Sequence, residues 1–72
     1  MKTFKGPKKY ERVVTTILHA YNIPSHRAAV YDAVHDTGYP GLVIQQTRVD
    51  LYLDDRNQEE QITTLLSRLG FQ

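Results

Sequence analysis

The sequence predicts a small α+β domain, and three patterns predict it. Apolar residues recur at helical spacing from Tyr10 to Tyr21, alternate with polar ones from Arg48 to Asp54, and return to helical spacing from Ile62 to Leu69. A chain of 72 residues has room for one domain, and at that size roughly 60% of the unfolded chain's surface is buried. The expected order is helix, helix, extended strand or hairpin, helix, with helix, β-hairpin, helix as the alternative. Residues 1–6 are expected to form a basic arm and residues 7–72 the domain.

The first helix is expected after Gly6-Pro7, because proline is tolerated in a first helical turn. Tyr10, Val13, Val14, Ile17, Leu18 and Tyr21 then fall at i, i+3, i+4, i+7, i+8 and i+11, one face of an α-helix. The β-branched run from Val13 to Ile17 opposes a helix locally, but the periodicity spans the whole segment. Asn22-Ile23-Pro24 ends the helix, since the residue before proline leaves the helical region and Asn accepts a left-handed cap.

Residues 25–37 admit two readings. As a helix, Ser25 is the N-cap, Ala29, Val30, Ala33, Val34 and Thr37 form a stripe, and Gly38 terminates it. As a strand, the segment pairs with the next through the turn-rich link Thr37-Gly38-Tyr39-Pro40-Gly41. The helix is the leading reading, on the strength of its three alanines.

Leu42-Val43-Ile44 followed by Val49, Leu51 and Leu53, which alternate with Arg48, Asp50, Tyr52 and Asp54, reads as extended chain with one buried and one wet face. Such a strand needs partners for its backbone groups. Four are open: Thr3-Phe4-Lys5, residues 26–35, a hairpin turning near Gln45-Gln46-Thr47, or the same strand of a second molecule. The final helix is expected from an Asn57 cap with Glu60 in the capping-box position, and buries Ile62, Leu65, Leu66 and Leu69. Gly70 followed by Phe71 closes it with a left-handed cap and a hydrophobic residue folding back. The expected core is Ile17, Leu18, Val30, Val34, Val49, Leu51, Leu53, Leu65, Leu66 and Leu69.

Charge is distributed unevenly. The first twelve residues hold Lys2, Lys5, Lys8, Lys9 and Arg12 against Glu11 alone, a net +4; the rest hold four arginines against seven carboxylates, a net −3. This split bears on partners rather than on fold. The absence of cysteine removes disulfides, thiolate metal sites and cysteine nucleophiles. The basic N-terminus lacks the apolar run of a signal peptide, and no window is long and apolar enough for a bilayer, so a cytoplasmic protein without membrane contact is expected.

No stretch carries a catalytic, metal or cofactor signature. His19, His26 and His35 have no pair at the i, i+4 spacing of a helical metal site. Asp50, Asp54, Asp55, Glu59 and Glu60 lack the spacing of a calcium loop and read as an acidic surface. Five tyrosines carry more information, because tyrosine joins apolar area to a polar tip and suits protein interfaces. Tyr10 and Tyr21 belong to the first helix's stripe. Tyr31, Tyr39 and Tyr52 are the contact candidates.

The expected function is therefore a non-enzymatic binding or regulatory module that covers a macromolecular partner's surface, of a size common among proteins encoded by mobile elements. A protein partner would meet Lys2, Lys5, Lys8, Lys9, Arg12, Tyr31, Tyr39, Tyr52, Asp54 and Asp55, and a homodimer is open. The alternative is a DNA- or RNA-binding regulator using the basic arm (Lys2, Lys5, Lys8, Lys9, Arg12) with His26, Arg27 and Tyr31, the last three on the second helix of a helix-turn-helix spanning residues 17–34.

Overall fold

The computed structural model describes all 72 residues, Met1–Gln72. Strand β1 (Lys2–Pro7) leads through a 3-10 turn (Lys8–Tyr10) into helix α1 (Glu11–Ala20); strands β2 (Ala28–Asp36) and β3 (Val43–Leu51) form a hairpin, and helix α2 (Arg56–Arg68) follows. The strands make one antiparallel sheet in the order β1-β3-β2. Both helices contribute to the core beneath one face of this sheet, a two-layer α+β arrangement. The predicted class stands, but the order differs from both expectations: a strand precedes the first helix, and the second helix expected over residues 25–37 is β2.

Two corrections share one cause. The central strand β3 exposes backbone groups on both edges, and each edge recruits a segment that read otherwise in isolation. The expected arm, residues 1–6, lies almost wholly in β1, paired from Lys2 opposite Leu51 to Pro7 opposite Gln46. Residues 28–36 pair with β3 from Ala28 opposite Leu51 to Asp36 opposite Val43. The alanines there are small enough for either structure, and Val30, Tyr31 and Val34 suit a pleated surface. Two of the four candidate partners of β3 are thus both used, and the Gln45-Gln46-Thr47 turn does not form.

Helix α1 begins at Glu11, with Pro7 extended ahead of the 3-10 turn at φ −63° and ψ 129°. Its β-branched run is tolerated because the Thr15 and Thr16 hydroxyls donate to the carbonyls of Glu11 and Arg12, while Val14 and Leu18 are buried. Asn22 takes the left-handed conformation expected of it, at φ 57°. Helix α2 is capped by Asp55 rather than Asn57: the Asp55 carboxylate accepts from the backbone N–H groups of Asn57 and Gln58, at 2.9 and 3.2 Å.

At the other end of α2, Gly70 lies at φ 91°, Gly70 N–H donates to Ser67 O and Phe71 N–H donates to Leu66 O, the paired bonds of a Schellman cap. The cap drives the Phe71 ring inward, against the backbone of Gly6, where a Cβ would meet ring atoms at 2.5–2.7 Å. Gln72 then pairs with the outer edge of β1, donating to and accepting from Lys5 at 2.9 and 2.8 Å.

The core comprises Phe4, Val14, Leu18, Val49, Leu51, Ile62, Leu66 and Phe71. Val30, Leu53 and Leu69 pack around it half-buried. Val34, expected inside, is 61% exposed because the hairpin carries it past the reach of both helices.

Candidate functional site

Side-chain alternation gives the sheet two faces. Phe4, Gly6, Val30, Thr47, Val49 and Leu51 lie toward the helices, whereas Thr3, Lys5, Tyr31, Arg48 and Asp50 lie on the opposite face. No helix covers this second face, which carries a connected cluster of polar side chains. Asp50 accepts from Thr3 Oγ1 at 2.8 Å, from Tyr31 OH at 2.7 Å and from Arg48 Nε at 3.1 Å, and the Arg48 guanidinium stacks 5.5 Å from the Tyr31 ring centroid.

Asp50 is only 5% exposed, although a single layer of side chains covers it. That burial opposes its charge, but the bonds from Tyr31, Thr3 and Arg48 and the positive charge of Arg48 outweigh it and hold the carboxyl below its ordinary value. The bond to Asp50 raises the Tyr31 phenol above its own. The cluster knits β1, β3 and β2 together across the open face. All four polar partners are engaged with one another, which suits a structural clasp better than a reacting centre.

The second feature is the hairpin. β1 pairs with β3 only as far as Gln46, so β2 and β3 run on alone from Val34 and Gln45 to the turn. The turn is ordered by its own bonds: Thr37 Oγ1 donates to Leu42 O, Gly38 N–H to the Asp36 carboxylate, Tyr39 N–H to Thr37 Oγ1, and Leu42 N–H to Tyr39 O. The projecting finger helps stretch the molecule to 42 × 23 × 19 Å. It carries Val34, Tyr39, Leu42, Val43 and Ile44, five of the nine large hydrophobic residues left exposed, with Tyr39 71% exposed.

The residues singled out by sequence scatter across this framework. Lys2 reaches Glu59 at 3.5 Å, Lys8 bonds Asp32 and Glu11, Lys9 lies 5.1 Å over the Tyr10 ring, Lys5 is on the open face and Arg12 on α1. Bonding to Asp32 raises the Lys8 ammonium above its ordinary value. Weaving the basic segment into a sheet and pairing two of its lysines with carboxylates dissolves the single basic arm. The acidic surface is also less bare than expected, because Asp54 pairs with Arg27 at 3.0 Å and Asp55 caps α2.

The helix-turn-helix is corrected outright. His26 and Arg27 lie in the turn before β2, and Tyr31 in the strand, so no second helix presents them. Tyr31 joins the open-face cluster, Tyr39 tips the hairpin, and Tyr52 follows β3 half-exposed. Sequence reasoning missed Val34, Leu42, Val43 and Ile44 as a surface. No sequence signal marked them, because the overhang of a nine-residue β3 past a six-residue β1 is set by tertiary pairing.

No protein-family model, curated protein or solved structure matches the chain. No helix is long and apolar enough to cross a membrane.

Proposed function

We propose that this chain is a non-enzymatic binding module that covers the surface of a protein partner, with the β2–β3 hairpin as its contact. The single observation that carries the reading is the concentration of Tyr39, Leu42, Val43 and Ile44 on an ordered finger that no other part of the chain covers. Leu42 and Ile44 point to the open face of the sheet and Val43 to the other beside Val34, so the finger offers apolar side chains on both faces; exposed apolar clusters of this kind mark interaction sites. Tyr39 at the tip is the kind of aromatic anchor that dominates interface energetics. A preordered turn also lowers the entropy lost on docking. The mechanism is steric occupation, with the dispersed charges steering rather than supplying affinity.

A nucleic-acid partner is less well supported, since the cations do not form one stripe and two of the five N-terminal ones are engaged with carboxylates. The test uses the full chain as bait in its host lysate, with mass spectrometry of what it retains, alongside a variant carrying Tyr39→Ser, Leu42→Ser and Ile44→Thr. The expected result is a protein retained by the native chain and lost by the variant, with unchanged circular dichroism, and direct titration of that purified protein reproducing the difference. Equal retention by the variant refutes the hairpin's role. Tight binding of a mixed-sequence duplex that weakens steeply with salt would replace the reading with the nucleic-acid one.

A further inference from the structure

The two edges of the sheet are treated differently. The outer edge of β1 is closed at Lys5 by Gln72, but no element bonds the outer edge of β2. The bond from Tyr52 N–H to Arg27 O sets the phase of the β2–β3 ladder. Odd-numbered residues of β2 therefore bond β3, and Ala28, Val30, Asp32 and Val34 direct their backbone N–H and C=O outward. Natural edge strands are blunted by lysine, proline, bulges, inward-pointing charge or a covering loop. The sequence Ala-Ala-Val-Tyr-Asp-Ala-Val-His-Asp of β2 has neither lysine nor proline and pairs along its full length without a bulge, and its helix-facing mid-strand charge, Asp32, is neutralised by Lys8.

We propose that a second copy of this chain pairs antiparallel along the outer edge of β2, forming a continuous six-stranded sheet across a two-fold axis at Asp32. The proposal goes beyond the hairpin reading and does not depend on it.

Self-complementarity favours a second copy over an unrelated strand. An axis at Asp32 sets Val30 of each copy opposite Val34 of the other, so the exposed Val34 gains an apolar neighbour twice over. On the helix side of the β2 edge, a groove between α1 and β2 is lined by Leu18, Ile23, Ala28 and Val30, with His19 at its rim. Antiparallel pairing runs the hairpin of one copy along this groove of the other and brings Asp36 opposite Ala28, on the side where His19 lies. The residues meeting at the axis are two Asp32 carboxylates, each already paired with its own Lys8. The axis therefore joins two ion pairs rather than two bare charges. Leu42, Val43 and Ile44 sit on the β3 flank, away from the axis, and stay free for another partner.

A domain with eleven buried residues in 72 also gains from the added burial. Isologous two-fold pairing is the commonest form of homo-oligomer.

The experiment is light scattering coupled to size-exclusion chromatography, with sedimentation velocity over a concentration series of the full chain. The expected mass is twice the 8.3 kDa of one chain. Val34→Pro removes an outward N–H that β3 does not use and blocks an incoming strand, so it is expected to give a folded monomer. Val34→Lys tests the same contact should the proline variant fail to fold. Asp32→Cys, in a chain without cysteine, is expected to form a disulfide-linked dimer under mild oxidation, because residues facing each other across the axis fall within disulfide reach. A native chain that stays monomeric up to about millimolar concentration (weaker than roughly −4 kcal/mol of association) overturns the proposal. So does a dimer that survives both Val34 variants. Failure of Asp32→Cys to cross-link within a confirmed dimer overturns the axis at Asp32.

Discussion

Replacing Gly6 by alanine pits two effects of opposite sign against each other. In a strand, alanine is favoured over glycine by about 0.5–1 kcal/mol, because glycine loses more backbone freedom on folding. Against this, the new Cβ would sit 2.5, 2.6 and 2.7 Å from Cγ, Cδ2 and Cδ1 of Phe71. Carbon atoms settle at roughly 3.5–4.0 Å, so ring and strand must separate by about 1 Å. The ring has little freedom to yield: it is 1% exposed, its own N–H is held in the Schellman cap, and the next residue, Gln72, is bonded twice to Lys5.

Overpacking of this kind costs about 1–3 kcal/mol, so a net loss of about 1–2 kcal/mol is expected. In a domain of this size that lowers Tm by roughly 5–15 °C. Thermal and urea unfolding followed by circular dichroism measure it. Phe71→Leu, destabilising alone, should cost less in the Gly6→Ala background, since the smaller side chain vacates the space the methyl needs. Strict additivity of the two, or a stabilised Gly6→Ala, would refute the proposed contact.

Three further outcomes follow from named contacts. Asp50 has a lowered folded-state pKa, so its contribution is complete above about pH 4 and is lost as pH falls through the lower folded value; Tyr31 and Lys8 are raised, so theirs hold below about pH 10 and fade above it. Melting across pH should show both limbs, with Asp50→Asn flattening the acid limb. Asp55→Ala should cost about 1 kcal/mol by uncapping α2, whereas Asp55→Asn keeps the acceptor and most of the stability, as chemical denaturation would show. Thr47 is fully buried with its hydroxyl unpaired, so Thr47→Val should stabilise the domain by about 1 kcal/mol in the same assay.

What could be read in advance was local. The stripe from Tyr10 to Tyr21, the Asn22 left-handed end, the alternation of Val49 and Leu51 with Arg48 and Asp50, and the Gly70-Phe71 cap depend on neighbours within a turn or two of chain. The α2 cap shifted by two residues, from Asn57 to Asp55, since both side chains suit the position and the entry path of the chain from β3 selects between them. The candidate surface was legible only in part. Tyr39 was marked by its turn, but Leu42, Val43 and Ile44 read only as the apolar start of an extended segment, because nothing local reveals that β3 extends past its partner.

Sequence alone therefore determined the class of the domain, both of its α-helices and the central strand, because periodicity and capping are encoded residue by residue. Tertiary structure decided the rest. Residues 2–7 and 28–36 became strands because β3 has two edges to satisfy, and hydrogen-bond demand from a distant segment outweighs weak local propensity. The same pairing spread the basic N-terminal run over β1, the 3-10 turn and α1, and left the hairpin with the largest group of exposed apolar side chains.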